Sequence, residues 1–222
     1  MIKALIFDFD GLIIETEEPC YQAWQEIYQS FGVTLDRKLY LTTIGSSSDH
    51  FNLYDHLEQL LGHPFDREAV RFQRRRRHRE LADAQPLLPG VREYIRAAQA
   101  LGLKLAIASS SSREWVTGHL ARRGLLADFP VIKCSDDVTR TKPSPEVYLA
   151  ALDGLGLSPA EVLAFEDSPN GVLAAKQAGI FCIAVPGPMT RALDYSRADL
   201  RLDSLAALPL SMLLEKLPEH LK

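Results

Sequence analysis

The pattern of apolar and polar residues predicts a buried strand at the start of the chain and a helical region after it. Ala4–Phe7 is a short apolar run, aromatic and β-branched enough to be buried on both faces of a sheet. The run ends abruptly in the polar turn Asp8-Phe9-Asp10-Gly11. Between about residues 15 and 85, apolar residues recur at helical spacing and Gly or Pro marks the ends of the periodic segments. This part is therefore predicted to be all-helical.

Capping and stop signals place three helices in this region. Threonine is a favourable N-cap, and acidic residues in the first turn suit the helix dipole, so we expect the first helix to be capped by the side chain of Thr16. The predicted helices run from Thr16 to Gly32, from about Ser47–Asp49 to Gly62, and from Asp66 to Ala84.

Beyond Pro86, strand patterns alternate with helix patterns, which favours a parallel, doubly wound sheet. The predicted strands are Lys104–Ala108, Val131-Ile132, Val162–Phe165 and Phe181–Val185, and Ser158-Pro159-Ala160-Glu161 forms a capping box between two of them. The predicted fold class is α/β: residues 1–14 and 86–222 form a Rossmann-like core, and residues 15–85 form an inserted all-helical cap. Because the insertion directly follows the Asp8–Asp10 strand end, we expect it to hang over that end.

Composition narrows the class of protein. The 222 residues are 46% hydrophobic and 24% charged, and the net charge of −4 provides no basic field to recruit nucleic acid. No stretch approaches the ~20 apolar residues needed to cross a bilayer, and the N-terminal apolar run is too short for a signal peptide. Cys20, Cys134 and Cys182 are scattered singly, which is typical of reduced thiols. We therefore expect a cytoplasmic protein whose partners include neither nucleic acid nor membrane.

The candidate chemistry lies where the predicted strands end. Because parallel strands share a direction, their carboxyl ends meet at one edge of the sheet. Three aspartates, Asp8, Asp10 and Asp167, would crowd negative charge there, which is costly unless a cation neutralises it. All-oxygen ligands suit Mg²⁺, so the pattern predicts a magnesium site.

Phosphate is the ligand that the remaining polar groups favour. Ser109 and the main-chain N–H groups of Ser110 and Ser111 open a helix, a position suited to phosphate oxygens. Lys142 supplies a fixed positive charge that would offset both the carboxylates and a transferring phosphoryl group. The same serines taken alone are also compatible with a polar loop that caps a helix.

Four motifs in this order resemble the haloacid dehalogenase superfamily of phosphotransferases: Asp8-Phe9-Asp10-Gly11, the strand running into Ser109, Lys142-Pro143, and Glu166-Asp167-Ser168. Each motif is weak alone, but the four together at strand ends are specific, and the resemblance spans essentially the whole chain. Within the superfamily, the chain is similar to the β-phosphoglucomutase-related branch with a small helical cap.

The resemblance implies a role for each matching residue. Asp8 would be the nucleophile that forms an aspartyl-phosphate, and Asp10 the general acid that later activates water. The side chains of Asp8 and Asp167, with the main-chain carbonyl of Asp10, would hold Mg²⁺. Glu166 would contact the ligands of the ion or bind the ion through a water molecule. Ser109 and Lys142 would bind the phosphoryl group.

The leading hypothesis is a Mg²⁺-dependent phosphatase of a small phosphorylated metabolite, such as a sugar or nucleotide phosphate. A sugar phosphomutase is the closest alternative, and a receiver or phosphate-binding module is the alternative of another class. The mutases of the resembling branch carry histidine where this chain has Cys20, and an arginine shortly after the glycine matching Gly45, where this chain has Ser46–Ser48. These departures favour hydrolysis. The sequence leaves the oligomeric state open, and a monomer is compatible with it.

Other conspicuous residues receive structural interpretations. The run Arg74–Arg77 is predicted to be a solvated helix surface, with the alternative that one arginine binds an anionic substrate. Trp24 and Trp115 fall on apolar helix faces and are predicted to pack there. The six histidines show no metal-binding spacing and are interpreted as surface or packing residues.

Overall fold

The computed structural model describes residues 1–41 and 52–221. Its contacts divide the chain into two compact units, Met1–Ile14 with Leu87–Lys222, and Glu15–Pro86. The first unit contains a six-stranded parallel sheet, so the predicted α/β fold class is confirmed.

The strands and helices follow one another along the chain with these bounds. The strands are β1 (Ala4–Phe7), β2 (Lys104–Ala108), β3 (Val131–Lys133), β4 (Val162–Glu166), β5 (Phe181–Ala184) and β6 (Leu200–Arg201). The α-helices among the described residues are α1 (Glu17–Ser30), α2 (Arg37–Leu41), α3 (Leu53–Leu61), α4 (Arg67–Asp83), α5 (Val91–Ala100), α6 (Arg113–Arg122), α7 (Glu146–Leu155), α8 (Pro169–Gln177) and α9 (Leu210–Glu215).

The strand order β3-β2-β1-β4-β5-β6 places β1 between β2 and β4, both parallel to it. The chain order reverses direction across the sheet at this strand, and the carboxyl end of such a strand is where open α/β sheets bind their ligands. The sequence did not predict β6, because its two residues are too few to show a periodic pattern.

The residues of β1 show why this strand is entirely apolar. Leu5 and Phe7 pack on one face of the sheet in a cluster with α5, α6 and α9. Ala4 and Ile6 pack on the other face, in an alanine-rich cluster with α7 and α8. Successive side chains of a strand point to opposite faces, so a strand covered by helices on both sides has no polar position. β1 is thereby fixed, and the residue that follows it is held at the sheet edge.

In the unit Glu15–Pro86, the cap of α1 differs from the prediction. Thr16 occupies the N-cap position, but its side chain makes no capping hydrogen bond. The carboxylate of Glu15 instead accepts hydrogen bonds from the main-chain N–H groups of Glu17 (2.8 Å) and Glu18 (3.1 Å). The longer side chain reaches from one residue earlier and brings a negative charge to the positive end of the helix dipole.

The other predicted boundaries in this unit agree where they can be compared. Asp66 caps α4 through the N–H groups of Glu68 and Ala69. Helix α3 begins after the N-cap Asn52, whereas the predicted start at Ser47–Asp49 lies outside the described residues. In the first unit, the predicted capping box Ser158–Glu161 is present on a single 3-10 turn.

The arginine run on α4 is partly engaged within its own unit. Arg77 forms an ion pair with Glu26 of α1 at 2.7 Å, and the Arg74 guanidinium lies 5.2 Å from the ring centroid of Trp24. Arg75 and Arg76 are exposed. Two of the four arginines therefore help α4 pack on α1, and the other two are solvated as predicted.

Across the ranges 1–41 and 52–221, no helix has both the length and the apolar character that a bilayer crossing requires.

Candidate active site

Asp8 is the first residue after β1, and it is held there by the sheet. Its main-chain N–H donates to the carbonyl of Phe165 at 2.9 Å, which extends the hydrogen-bonding pattern between β1 and β4 by one residue. Only 8% of its side chain is exposed. A buried carboxylate needs partners of opposite charge, and the chain supplies one from a distant loop.

Lys142 is that partner. It lies in the loop between β3 and α7, and not directly at a strand end as the sequence suggested. Its ammonium group donates to the carboxylate of Asp8 and, at 2.6 Å, to that of Glu166. With 6% of its side chain exposed, Lys142 is buried between the two acids. These two contacts of Lys142 fix the orientation of both carboxylates.

The charges at this site shift the pKa values of both partners. Burial raises the pKa of Asp8 to about 8; the Lys142 ammonium opposes this shift, while Glu166 and Asp10 add to it. Burial alone would lower the pKa of Lys142, but the negative charges of Asp8 and Glu166 outweigh it and raise that pKa above its usual value. Negative charge therefore exceeds positive charge at the end of β1.

Glu166 ends β4 and is completely buried. Besides Lys142, it accepts a hydrogen bond at 2.5 Å from the hydroxyl of Tyr148 on α7. A methyl group on Gly171 would lie 1.8 Å from its Oε2 atom, so only glycine fits at that position of α8. Tyr148 lies among the buried apolar residues of α7, and a tyrosine in such a pattern is the one sign in the sequence of a polar contact.

Asp167, the next residue, is held by a close approach of the Gly11 main chain and by a hydrogen bond from the side chain of Tyr195. Gly11 has φ of +72°, and a side chain there would lie 2.1 Å from the Oδ2 atom of Asp167. The hydroxyl of Tyr195 donates to the main-chain carbonyl of Asp167 and, at 3.2 Å, to that of Thr190. Gly11 is thus required both for its backbone conformation and for the space it leaves.

Asp8, Glu166 and Asp167 present carboxylate oxygens that all lie within 4.8 Å of one another. Three buried oxygen donors with excess negative charge fit Mg²⁺, which prefers oxygen ligands and retains water. The predicted set was Asp8, Asp10 and Asp167. The structure brings the first and third together and adds Glu166, whereas the carboxylate of Asp10 bonds to other groups.

Asp10 is held by the segment between β2 and α6 and by the first turn of α6. Ser111 Oγ donates to its Oδ2 atom at 2.6 Å, and Trp115 Nε1 donates to its Oδ1 atom at 2.9 Å. The prediction that Trp115 only packs is incomplete, because the polar edge of its ring contacts a candidate site residue. An indole on an apolar helix face gives no sign in the sequence of where its N–H group will point.

The two serines predicted to bind phosphate lie in the same segment. Ser109 is buried; its hydroxyl accepts a hydrogen bond from the N–H of Ser111 at 3.0 Å and lies 3.5 Å from Asp10 Oδ2. The hydroxyl of Ser110 accepts from the main-chain N–H of Lys142 at 3.3 Å. The β2–α6 segment is therefore tied both to Asp10 and to the loop that carries Lys142.

Comparison of the sequence with known proteins finds a matching family model and several similar proteins. A family model described as haloacid dehalogenase-like hydrolase matches residues 5–185. The chain is 46% identical over 217 residues to YhcW of Bacillus subtilis (strain 168), covering 98% of each chain. It is 33% identical over 209 residues to hexitol phosphatase B of Escherichia coli (strain K12), covering 93% of this chain and 94% of the relative. It is also 30% identical over 195 residues to beta-phosphoglucomutase of Bacillus subtilis (strain 168), covering 83% of each.

Among solved structures, the chain is similar to a mutant of CbbY from Rhodobacter sphaeroides in complex with xylulose-(1,5)bisphosphate. The TM-score is 0.76 and the identity 33%, and the match covers 94% of this chain and 96% of that one.

Proposed function

Because this chain belongs to the haloacid dehalogenase-like hydrolases and is a phosphoric monoester hydrolase, we propose that it dephosphorylates a small phosphorylated sugar or polyol with Mg²⁺ through an aspartyl-phosphate. The carbohydrate class is supported by a relative that is a hexitol phosphatase and by a similar structure in complex with a sugar bisphosphate. The proposed substrate class is narrower than the one predicted from the sequence, which also allowed nucleotide phosphates. The family match favours an enzyme over a receiver or phosphate-binding module.

The observation that carries the proposal is the position of Asp8. One of its oxygens is bonded to Lys142, and the carboxylate stands at the switch point of the sheet beside Glu166 and Asp167. An oriented carboxylate at such a point can attack phosphorus, provided the repulsion between two anions is reduced. Lys142 supplies one positive charge for this purpose, and we assign it to bind the phosphoryl group together with Ser109 and the N–H of Ser110.

The site has the groups needed to hold the ion. Asp8 and Asp167 would be side-chain ligands, with the main-chain carbonyl of Asp10 as a third, while Glu166 is occupied by Lys142 and Tyr148 and would support the ligands around it. When bound, Mg²⁺ supplies positive charge that offsets the charge of the substrate phosphate.

The chain's own carboxylates account for both steps. In the first, Asp8 forms a bond to phosphorus while the bond to the sugar oxygen breaks, and Asp10 gives that oxygen a proton. In the second, a water molecule bonds to phosphorus, its proton passes to Asp10, and the bond to Asp8 breaks. Asp10 thereby returns to its starting protonation state and inorganic phosphate is released.

We further propose that the unit Glu15–Pro86 is a helical cap domain inserted into the catalytic core. Its insertion directly after the β1 segment supports this role. Cys20, Cys134 and Cys182, all within the described ranges, form no disulfide, which supports a reducing compartment such as the cytoplasm.

A Mg²⁺-supplemented screen of sugar, polyol and nucleoside phosphates, with released phosphate as readout, tests the function. We expect turnover of one or more sugar or polyol phosphates, its loss in EDTA, and recovery when Mg²⁺ is restored. Asp8→Asn should abolish it, whereas Asp153→Asn, the same change at an exposed residue of α7, should not. Turnover that persists in chelator or in Asp8→Asn would contradict the proposal.

A sugar phosphomutase is the second candidate, because beta-phosphoglucomutase is among the relatives. Hydrolysis is favoured by Cys20 and by Ser46–Ser48, which lie in positions where the mutases have a histidine and an arginine; Gly45 and the three serines fall outside the described residues. A neutral hydroxyl cannot replace a charged, bidentate grip on a second phosphate. The decisive assay supplies β-glucose 1-phosphate with a trace of the 1,6-bisphosphate. Glucose 6-phosphate appearing faster than free phosphate would establish the mutase.

A further inference from the structure

The carboxylate of Asp10 has a different kind of donor on each of its oxygens. Trp115 Nε1 lies 2.9 Å from Oδ1, and Ser111 Oγ lies 2.6 Å from Oδ2. The indole itself is held by α6: its ring packs edge-on against the buried ring of His119, one turn further along, with centroids 4.2 Å apart. The side chain of Ser112 also accepts the main-chain N–H of Trp115 at 3.4 Å. The N–H group is thus fixed in direction by helix and ring packing.

These two donors differ in what they allow when Asp10 takes up a proton. An indole N–H can only donate, so the oxygen that it contacts must remain an acceptor. A hydroxyl can donate or accept, so Ser111 can turn and accept a hydrogen bond from a protonated carboxyl. A carboxyl oxygen that bears the proton is the weaker acceptor, so the Trp115 N–H disfavours the proton on the oxygen that it contacts, whereas the oxygen that faces Ser111 can carry it.

We propose that Trp115 is a positioning residue for the acid–base group: it reserves Asp10 Oδ1 as an acceptor and thereby assigns the transferable proton to Oδ2. This inference rests on the proposed function. In phosphoenzyme formation, the proton on Oδ2 passes to the sugar oxygen as its bond to phosphorus breaks. In phosphoenzyme hydrolysis, Oδ2 takes a proton from water while the water oxygen bonds to phosphorus and the bond to Asp8 breaks. The Trp115 N–H remains on Oδ1 throughout.

The inference is tested with Trp115→Phe, which removes the N–H and keeps an aromatic ring against His119. The probe is p-nitrophenyl phosphate, whose leaving group departs without a proton. We expect phosphoenzyme formation to stay within about twofold of wild type, while phosphoenzyme hydrolysis slows about 10- to 100-fold, which is less than the ~10²–10⁴ that complete loss of acid–base catalysis costs. Rapid-quench mixing should then show a burst of about one p-nitrophenolate per active site.

The matched control is Thr117→Val on the same helix, which removes a hydroxyl that bonds to the carbonyl of Arg113 and not to Asp10. It should show neither the burst nor the slower hydrolysis. If Trp115→Phe slows both steps equally, the tryptophan is merely structural; if it slows neither, the N–H does not position Asp10. Both results overturn the inference.

Two further measurements distinguish an unfolded variant and a failure of the proposed function from a failure of the inference about Trp115. Should Trp115→Phe unfold, Ser111→Ala enters the same assay, because it removes the nearer of the two hydroxyl donors to Oδ2 without touching the ring packing. Unchanged hydrolysis in Ser111→Ala overturns the proposed division between the two oxygens. Wild-type turnover of the probe that is abolished by Asp8→Asn establishes, independently of Trp115, the Asp8-dependent phosphatase activity on which the inference rests. With that result in hand, a Trp115→Phe enzyme that behaves as wild type refutes the role of Trp115 alone.

Discussion

Replacing Lys142 by methionine is expected to destabilise the protein strongly in the absence of metal. The side chain keeps about the same volume, but the carboxylates of Asp8 and Glu166 lose their shared cation. At the 2.6 Å between Lys142 Nζ and Glu166 Oε1, one ion pair amounts to about 6 kcal/mol at an effective dielectric constant of about 20. The cost of burying the ammonium offsets part of this, and breaking a buried pair typically costs about 3–5 kcal/mol.

The assay is thermal unfolding in EDTA, followed by circular dichroism. For a chain of this size, 1 kcal/mol lowers Tm by about 2–4 °C, so the expected decrease is about 6–20 °C. Adding Mg²⁺ should raise the Tm of Lys142→Met more than that of the wild type, because the ion brings positive charge to carboxylates that the variant leaves without a cation. Activity in Mg²⁺ should remain far below wild type.

Lys3→Met provides the matched control. Lys3 pairs with Glu161 at the same 2.6 Å, but its side chain is 57% exposed, so solvent screens the interaction. The same substitution should therefore lower Tm only slightly. If Lys142→Met lowers Tm no more than Lys3→Met, or if Mg²⁺ raises both variants equally, the lysine does not balance the charge of this site.

Two other predictions concern the acidic site. Because the pKa of Asp8 is about 8 in the folded protein and about 4 in an unfolded chain, the folded state binds the proton more tightly, and the wild type should lose stability as pH rises through this window. Asp8→Asn lacks this loss, so in EDTA its Tm should exceed that of wild type by a margin that grows between pH 5 and pH 8.5; a margin independent of pH would contradict the assigned shift. Gly171→Ala should displace Glu166 and cut activity at least tenfold, since the new methyl group would lie 1.8 Å from its carboxylate. Gly118→Ala is its control in another helix, where the nearest atom is Arg122 Nη1 at 3.3 Å, at the end of a long side chain, and improved helix propensity should leave stability equal or higher by up to about 1 kcal/mol. Equal activity in the two alanine variants would show that Glu166 has room to move.

The sequence by itself determined the architecture and the edge of the sheet that carries the site. The strand β1 and the alternation of strands and helices after Pro86 could be predicted because they depend on the local spacing of apolar residues, which the sequence contains. The position of Asp8 follows from the same pattern, because a residue directly after a buried parallel strand must stand at the carboxyl edge. Sequence resemblance alone also indicated the family whose model matches residues 5–185.

Only the tertiary structure decided which polar atoms meet at that edge. Tyr148 and Trp115 carry apolar rings that satisfy the helix pattern. Their polar atoms contact Glu166, 18 residues away in sequence, and Asp10, 105 residues away. Lys142 lies in a loop, where the sequence has no periodic pattern of apolar residues that would predict its position. Such contacts depend on the direction of a single N–H, O–H or ammonium group in three dimensions, and hydrophobic patterning fixes which side of an element is buried but not where those groups point.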